Sequence, residues 1–169
     1  MEREFVVSIS NSTVISTTTL ILITPASAPN PSLDFLRFWV GQNANATSAQ
    51  QRINIRTQIS SWPTCAAFTP KSLKRSDLTA SVITGFSSNA IGNCGINATV
   101  EGAGTTTILW EDAFNVLNGW LLVPTPPEII NMGVNPPVTV ATAAGLELQF
   151  PSTPATLTQW SWGCVFREC

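Results

Sequence analysis

Apolar and polar residues alternate with a period of two along most of this chain. From Arg52 to Ile59 the alternation is strict. Ile53, Ile55 and Ile59 share one face, and Arg52, Asn54, Arg56 and Gln58 share the other. Leu146, Leu148 and Phe150 alternate with Glu147 and Gln149. Trp160, Trp162, Cys164 and Phe166 line one side of a last segment whose other side carries Ser161, Gly163, Val165 and Arg167. Successive side chains of a strand point to opposite faces, so each segment is expected to turn one face into a core. Further strands are expected over 3–10, 13–24, 33–41, 79–86, 96–101, 105–111, 119–124, 128–132 and 138–142, which are rich in Thr, Val, Ile and Trp.

Prolines and glycines punctuate these segments: Pro25 to Pro31, Pro124 to Pro127, Asn135-Pro136-Pro137 and Pro151 to Pro154. Proline lacks the N–H that a ladder needs, so it keeps strands short and breaks helices. Gly102-Ala103-Gly104 reads as a hairpin turn between strands ending at Glu101 and starting at Thr105. Helical spacing is confined to Lys71–Leu78 and Asp112–Leu117. The pattern predicts an all-β, single-domain β-sandwich over residues 1–169. It is expected to be jelly-roll-like, because the long Pro-rich connections suit crossings between two sheets. Residues 1–11 read as an N-terminal arm or an edge strand.

Composition sharpens this picture. The chain has no histidine and no tyrosine, and 11% of its residues are charged, against roughly 25% in a typical soluble domain. No charge falls between Glu4 and Asp34, between Asp77 and Glu101, between Glu128 and Glu147, or between Glu147 and Arg167. Buried strands in so small a domain cannot absorb all of these stretches, so contact with copies of itself or with another protein is expected. A net charge of −2 offers no field to attract nucleic acid. Lys71, Lys74 and Arg75 form only a small basic cluster, which reads as a solvated turn. The acidic start Met1-Glu2-Arg3-Glu4 is unlike a signal peptide, and the apolar run Leu20–Ile23 is too short for a membrane span. The expectation is a protein made in a cytoplasm, without membrane association.

The same composition narrows the chemistry. Ser-His and Cys-His arrangements require a histidine that is not there. Glu111 and Asp112 are adjacent at a strand end, so alternation sends them to opposite sides. Without histidine, a zinc site would need Cys65, Cys94, Cys164 and Cys169 together, and their spacing is not that of structural zinc. Cys164 reads as a buried thiol, and the spacing leaves open whether any of the four pair. A non-enzymatic protein without metal or cofactor is expected. Of the six tryptophans, Trp160 and Trp162 share a face with Cys164 and Phe166, and Trp39 lies in the apolar run Leu36–Val40, so all three are expected in the core. Trp62, before Pro63, and Trp120, after Asn118-Gly119, are the candidates for exposed platforms that could stack on sugar rings. They define an alternative: a carbohydrate-binding or adhesin-like β-sandwich module.

Particular segments carry a family resemblance: Glu4 to Asn11, Thr47 to Arg52, Phe114 to Trp120 and Val123 to Glu128. These resemble small proteins from phage-like and environmental genomes. The chain as a whole resembles a capsid cement (decoration) protein of a tailed bacteriophage, with cyanophages as the candidate group. The resemblance implies a β-rich subunit, homotrimeric, on the capsid exterior of the virion after synthesis in the host cytoplasm. There it would brace neighbouring major capsid proteins. It implies no catalytic residue. Under this reading the candidate capsid-contact segment is Glu2, Arg3, Glu4 and Phe5, where charge and an aromatic coincide.

Overall fold

A computed structural model of the chain describes residues 3–15, 19–26, 31–44, 47–74, 80–87, 90–133 and 143–169. Alternating β-branched and aromatic residues form thirteen strands there, and no helix forms among the described residues. The strands are β1 (Arg3–Ser12), β2 (Thr19–Ile23), β3 (Leu33–Gln42), β4 (Gln50–Ile59), β5 (Thr64–Ala67), β6 (Lys71–Ser72), β7 (Thr84–Gly85), β8 (Asn93–Val100), β9 (Thr105–Asn115), β10 (Trp120–Leu122), β11 (Ile130–Met132), β12 (Ala144–Gln149) and β13 (Trp160–Glu168).

Eight of them make the frame. One sheet runs β10-β3-β13-β1 and the other β2-β12-β4-β9, so β1 pairs with β13, β2 with β12, β3 with β10 and β4 with β9. First pairs with last and second with next to last, which is one long antiparallel ribbon rolled into two sheets. That is the jelly roll, as the long Pro-rich connections predicted. An insertion between β4 and β9 extends both sheets on the β1/β2 side. In it β6 pairs with β1, β8 pairs with β2, and β5 and β7 pair with β8. A further short strand, β11, pairs with β3 beside β10.

Three sequence expectations change here. Asp112 to Asn115 continue β9 instead of starting a helix, because the ladder with β4 runs on to the pair Gln50–Asn115. Lys71–Ser72 are strand, and Leu73 and Lys74 are not helical; residues 75–78 of that expected helix, like the expected strand 138–142, lie outside the described residues. Gly102-Ala103-Gly104 is no hairpin, since β8 and β9 are not neighbours and three strands of the same sheet separate them. The segment crosses that sheet's outer face, and its glycines answer to close backbone approach. A Cβ on Gly104 would lie 2.0 Å from the Ser60 carbonyl oxygen, and one on Gly102 1.9 Å from that of Ser61. Backbone cannot swing aside as a side-chain tip can. Gly104→Ala is therefore expected to cost about 3 kcal/mol. Gly41→Ala, where an added Cβ meets nothing within 4 Å, should change the unfolding midpoint far less in the same denaturant titration.

The core lies between the sheets. Phe5 and Phe35 each contact Phe166, at ring-centroid distances of 5.8 and 6.0 Å, and Phe38 stacks on Phe35 at 5.7 Å. Phe35 and Phe38 both face inward despite their odd spacing, because Leu36 is an extra residue opposite the Val165–Phe166 step. Trp160 packs on Phe150 and Phe114. Trp162 is fully buried, and its indole N–H donates to the Leu20 carbonyl across the core at 3.0 Å. As predicted, Trp160, Trp162, Cys164 and Phe166 form one buried face.

Candidate interaction surfaces

The bulge at Leu36 reverses the alternation of β3, and this builds the most distinctive outer surface. Beyond it Phe38 and Val40 point inward, so Arg37 and Trp39 point outward. This corrects the expectation that Trp39 is core, which assumed uninterrupted alternation. Trp39 stands opposite Gly163 of β13, and its indole lies over the space a side chain would fill. A Cβ on Gly163 would come 2.2 Å from Trp39 Cζ2. The Arg37 guanidinium sits 5.4 Å from the centre of the indole ring, a cation–π arrangement. Leu121 of β10 pairs with Trp39 and is 62% exposed.

Two shallow cavities meet at Arg37. One, of about 280 Å³, is lined by Arg37, Trp39 and Leu121. The other, of about 290 Å³, is lined by Glu4, Leu36, Arg37, Leu73, Val123 and Val165. Together they make a groove across the outer face of the β10-β3-β13-β1 sheet; its described lining is largely apolar, with Arg37 and Glu4 as the charged groups. Leu73 and Val123 are exposed there. Apolar side chains gathered on one face signal a contact surface more than single ones scattered over a domain do.

The N-terminal segment divides among three environments. Residues 3–11 belong to strand β1 and are not an arm, because Phe5, Val7 and Ile9 alternate inward and β1 is hydrogen-bonded along β13. Phe5 is in the core, which corrects its assignment as a contact residue. Arg3 forms a 2.8 Å ion pair with the buried carboxylate of Glu168. Glu4 lines the groove. Glu2 lies outside the described residues.

Neither Trp62 nor Trp120 is exposed, and both expectations are corrected. Trp120 pairs with Val40, an inward position, and its indole N–H donates to Asp112 Oδ2 at 3.1 Å. Trp62 folds over β12 against Gly145, and its N–H donates to the Gln58 carbonyl at 2.6 Å. Each meets its polar requirement inside the protein, so neither offers a free ring face for a sugar.

Ionisable groups gather under Trp62 and the 101–104 crossing. Glu147, fully buried, accepts from Arg56 Nε at 2.6 Å through Oε2, while its Oε1 has no hydrogen-bond partner. Arg56 also reaches Glu101 at 3.4 Å. Glu101 in turn accepts from the backbone N–H and hydroxyl of Thr19, both at 2.7 Å. One carboxylate thus ties the crossing to β2 and β4. Burial raises the Glu147 carboxyl to about 7, against the lowering effect of Arg56. Glu111 pairs separately with Arg52 on the outer face, and Asp112 points to the core side, as their adjacency predicted.

The four cysteines are free thiols, buried at positions 65, 94 and 164 and exposed at 169. Burial pushes the Cys65 thiol up to about 12 and raises those of Cys94 and Cys164 as well. At neutral pH these three are held as thiols, the unreactive form. Among the described residues, no three of His, Cys, Asp and Glu cluster closely enough to hold a metal ion. No helix among them is long and apolar enough to cross a membrane.

No protein-family model matches the chain, and no curated protein matches it.

Proposed function

We propose that this protein is a structural virion subunit that binds the outer surface of a phage capsid as a homotrimer and stabilises contacts between neighbouring major capsid proteins. The observation that carries this reading is the groove across the outer face of the β10-β3-β13-β1 sheet. Trp39, Leu73, Leu121 and Val123 gather there on rigid strands, with Arg37 and Glu4 as polar guides. A chain with 18 charges over 8085 Å² of surface desolvates few ions when such a face is covered. The resemblance of the chain as a whole to capsid cement proteins points the same way. A subunit that binds the assembled shell and not its dissociated parts stabilises the shell by mass action, and this needs contact faces but no active site. The sugar-binding alternative rested on Trp62 and Trp120, both of which are buried.

The test is co-sedimentation with purified capsids lacking the protein, combined with the temperature at which those capsids come apart. Wild type should co-sediment and raise that temperature. Leu121→Lys with Val123→Lys, two changes at exposed positions, should abolish both effects while the circular dichroism spectrum is retained. Failure of wild type to bind, or full binding by the double variant, would overturn the proposal. A quench of tryptophan fluorescence by simple sugars would favour the alternative instead.

A further inference from the structure

Strand β9 differs from every other edge of this fold. Among the described residues, the other strands at sheet margins are β5, β6, β7, β10 and β11, of four, two, two, three and three residues. Short margins of this kind, with Pro124, Pro126 and Pro127 beside β10, are how soluble sheets avoid pairing with other chains. β9 has eleven residues and pairs with β4 on one side and with no described strand on the other. Thr105 to Ala113 are all exposed, including Ile108 at 54%, Leu109 at 45% and Trp110 at 39%. Its first half, Thr105-Thr106-Thr107-Ile108-Leu109-Trp110, consists of strong strand formers and contains no charge and no proline.

We infer that β9 pairs antiparallel with β9 of a second copy of this chain, joining two seven-stranded sheets across a two-fold axis. The strand can pair with its own copy without opposing like charges, and three conditions fix that pairing. Charge selects the direction: Glu111 and Asp112 close one end of the strand. Parallel in-register pairing would stack each carboxylate on its own counterpart, whereas antiparallel pairing sends them to opposite ends. Facing residues must also share a sheet face, so the axis must pass through a residue. Finally, a bulge at Leu109, between the pairs Ile55–Trp110 and Arg56–Ile108, limits the regular stretch to the N-terminal half.

An axis at Thr107 satisfies all three conditions. Thr106 then faces the second copy's Ile108 on the outer side, Thr107 faces its own counterpart on the core side, and Trp110, past the bulge, falls opposite Thr105 on the core side. Each Glu111 falls opposite Gly104, so no charge meets a like charge. This contact is two-fold, stands on the strand itself, and is separate from the capsid reading and its three-fold contact.

Sedimentation equilibrium of the full chain tests it. Wild type should form dimers, or hexamers if the three-fold contact also forms. Ile108→Lys, or independently Thr106→Lys at an exposed threonine, should weaken the two-fold step by roughly 100-fold, because each places like charges beside the axis. In a Cys169→Ser background, Thr107→Cys should oxidise to a covalent dimer. Wild type that is monomeric into the millimolar range, or an assembly unchanged by both lysine variants and not linked through Thr107→Cys, would overturn the inference.

Discussion

Replacing Trp162 with alanine should lower the unfolding free energy by about 3–5 kcal/mol, as emptying a large aromatic site in a packed core does. For a chain of this length that corresponds to a fall in Tm of roughly 10 °C. The indole does two things at once. It fills the space between β13 and the opposite sheet, and its N–H satisfies the Leu20 carbonyl at 3.0 Å. That carbonyl needs an outside donor because the register of β2 against β12 slips between Ile21 and Thr19, where Leu20 lies. Trp162→Phe separates the two roles. It keeps most of the volume and removes the donor, so about 1–3 kcal/mol should be lost. A loss below about 1 kcal/mol for the alanine variant would show that the sheets close over the site without it.

Stability should also fall as pH rises from about 4.5 to about 7. Glu147 has an ordinary value of 4.5 and is raised to about 7 in the folded chain, chiefly by burial. Between these values the folded state binds a proton that the unfolded state has released. Raising the pH through the window therefore favours unfolding, and the full effect is about 3 kcal/mol. The groups facing Glu147 are Arg56, which lowers its value, and Glu101, which raises it. Asp34 lies outside the window. Its burial works upward, but hydrogen bonds from Asn131, Cys169 and Arg167 hold it below its ordinary 3.8. Glu147→Gln should flatten the slope of unfolding free energy between pH 5 and 7. A variant whose slope matches wild type would remove Glu147 as its source.

The fold was legible to the extent that alternation is local. Ile53 and Ile55, Leu146 and Leu148, and Trp160, Trp162, Cys164 and Phe166 all face the core as their period of two requires. Errors arose where one residue was added or where a connection travelled further than its turn chemistry suggested. Leu36 is such an addition: nothing in the run Leu36–Val40 marks the bulge that turns Trp39 outward. Gly163 opposite Trp39 was a usable signal, since a glycine inside a strand often marks close approach of another group. Gly102 and Gly104 resemble hairpin residues in sequence because glycine serves both tight turns and close backbone contact, and only the partner strand distinguishes the two. Trp62 and Trp120 looked exposed beside turn residues, yet each found an acceptor inside the protein.

The chain's own residue order determined that this protein is an all-β jelly roll with a core of isoleucine, leucine, phenylalanine and tryptophan. Strand periodicity and proline placement act over a few residues and need no distant partner. Tertiary structure alone decided which polar faces meet water. Asn54, Gln58, Glu147 and Gln149 occupy the polar side of their strands, yet all are buried, because the insertion after β4 lays Trp62 and the 101–104 crossing over them. It also decided which apolar residues remain uncovered. The groove at Trp39 and the open edge of β9 depend on how far each sheet extends and on what its neighbour covers, quantities set by pairings between residues distant in the chain.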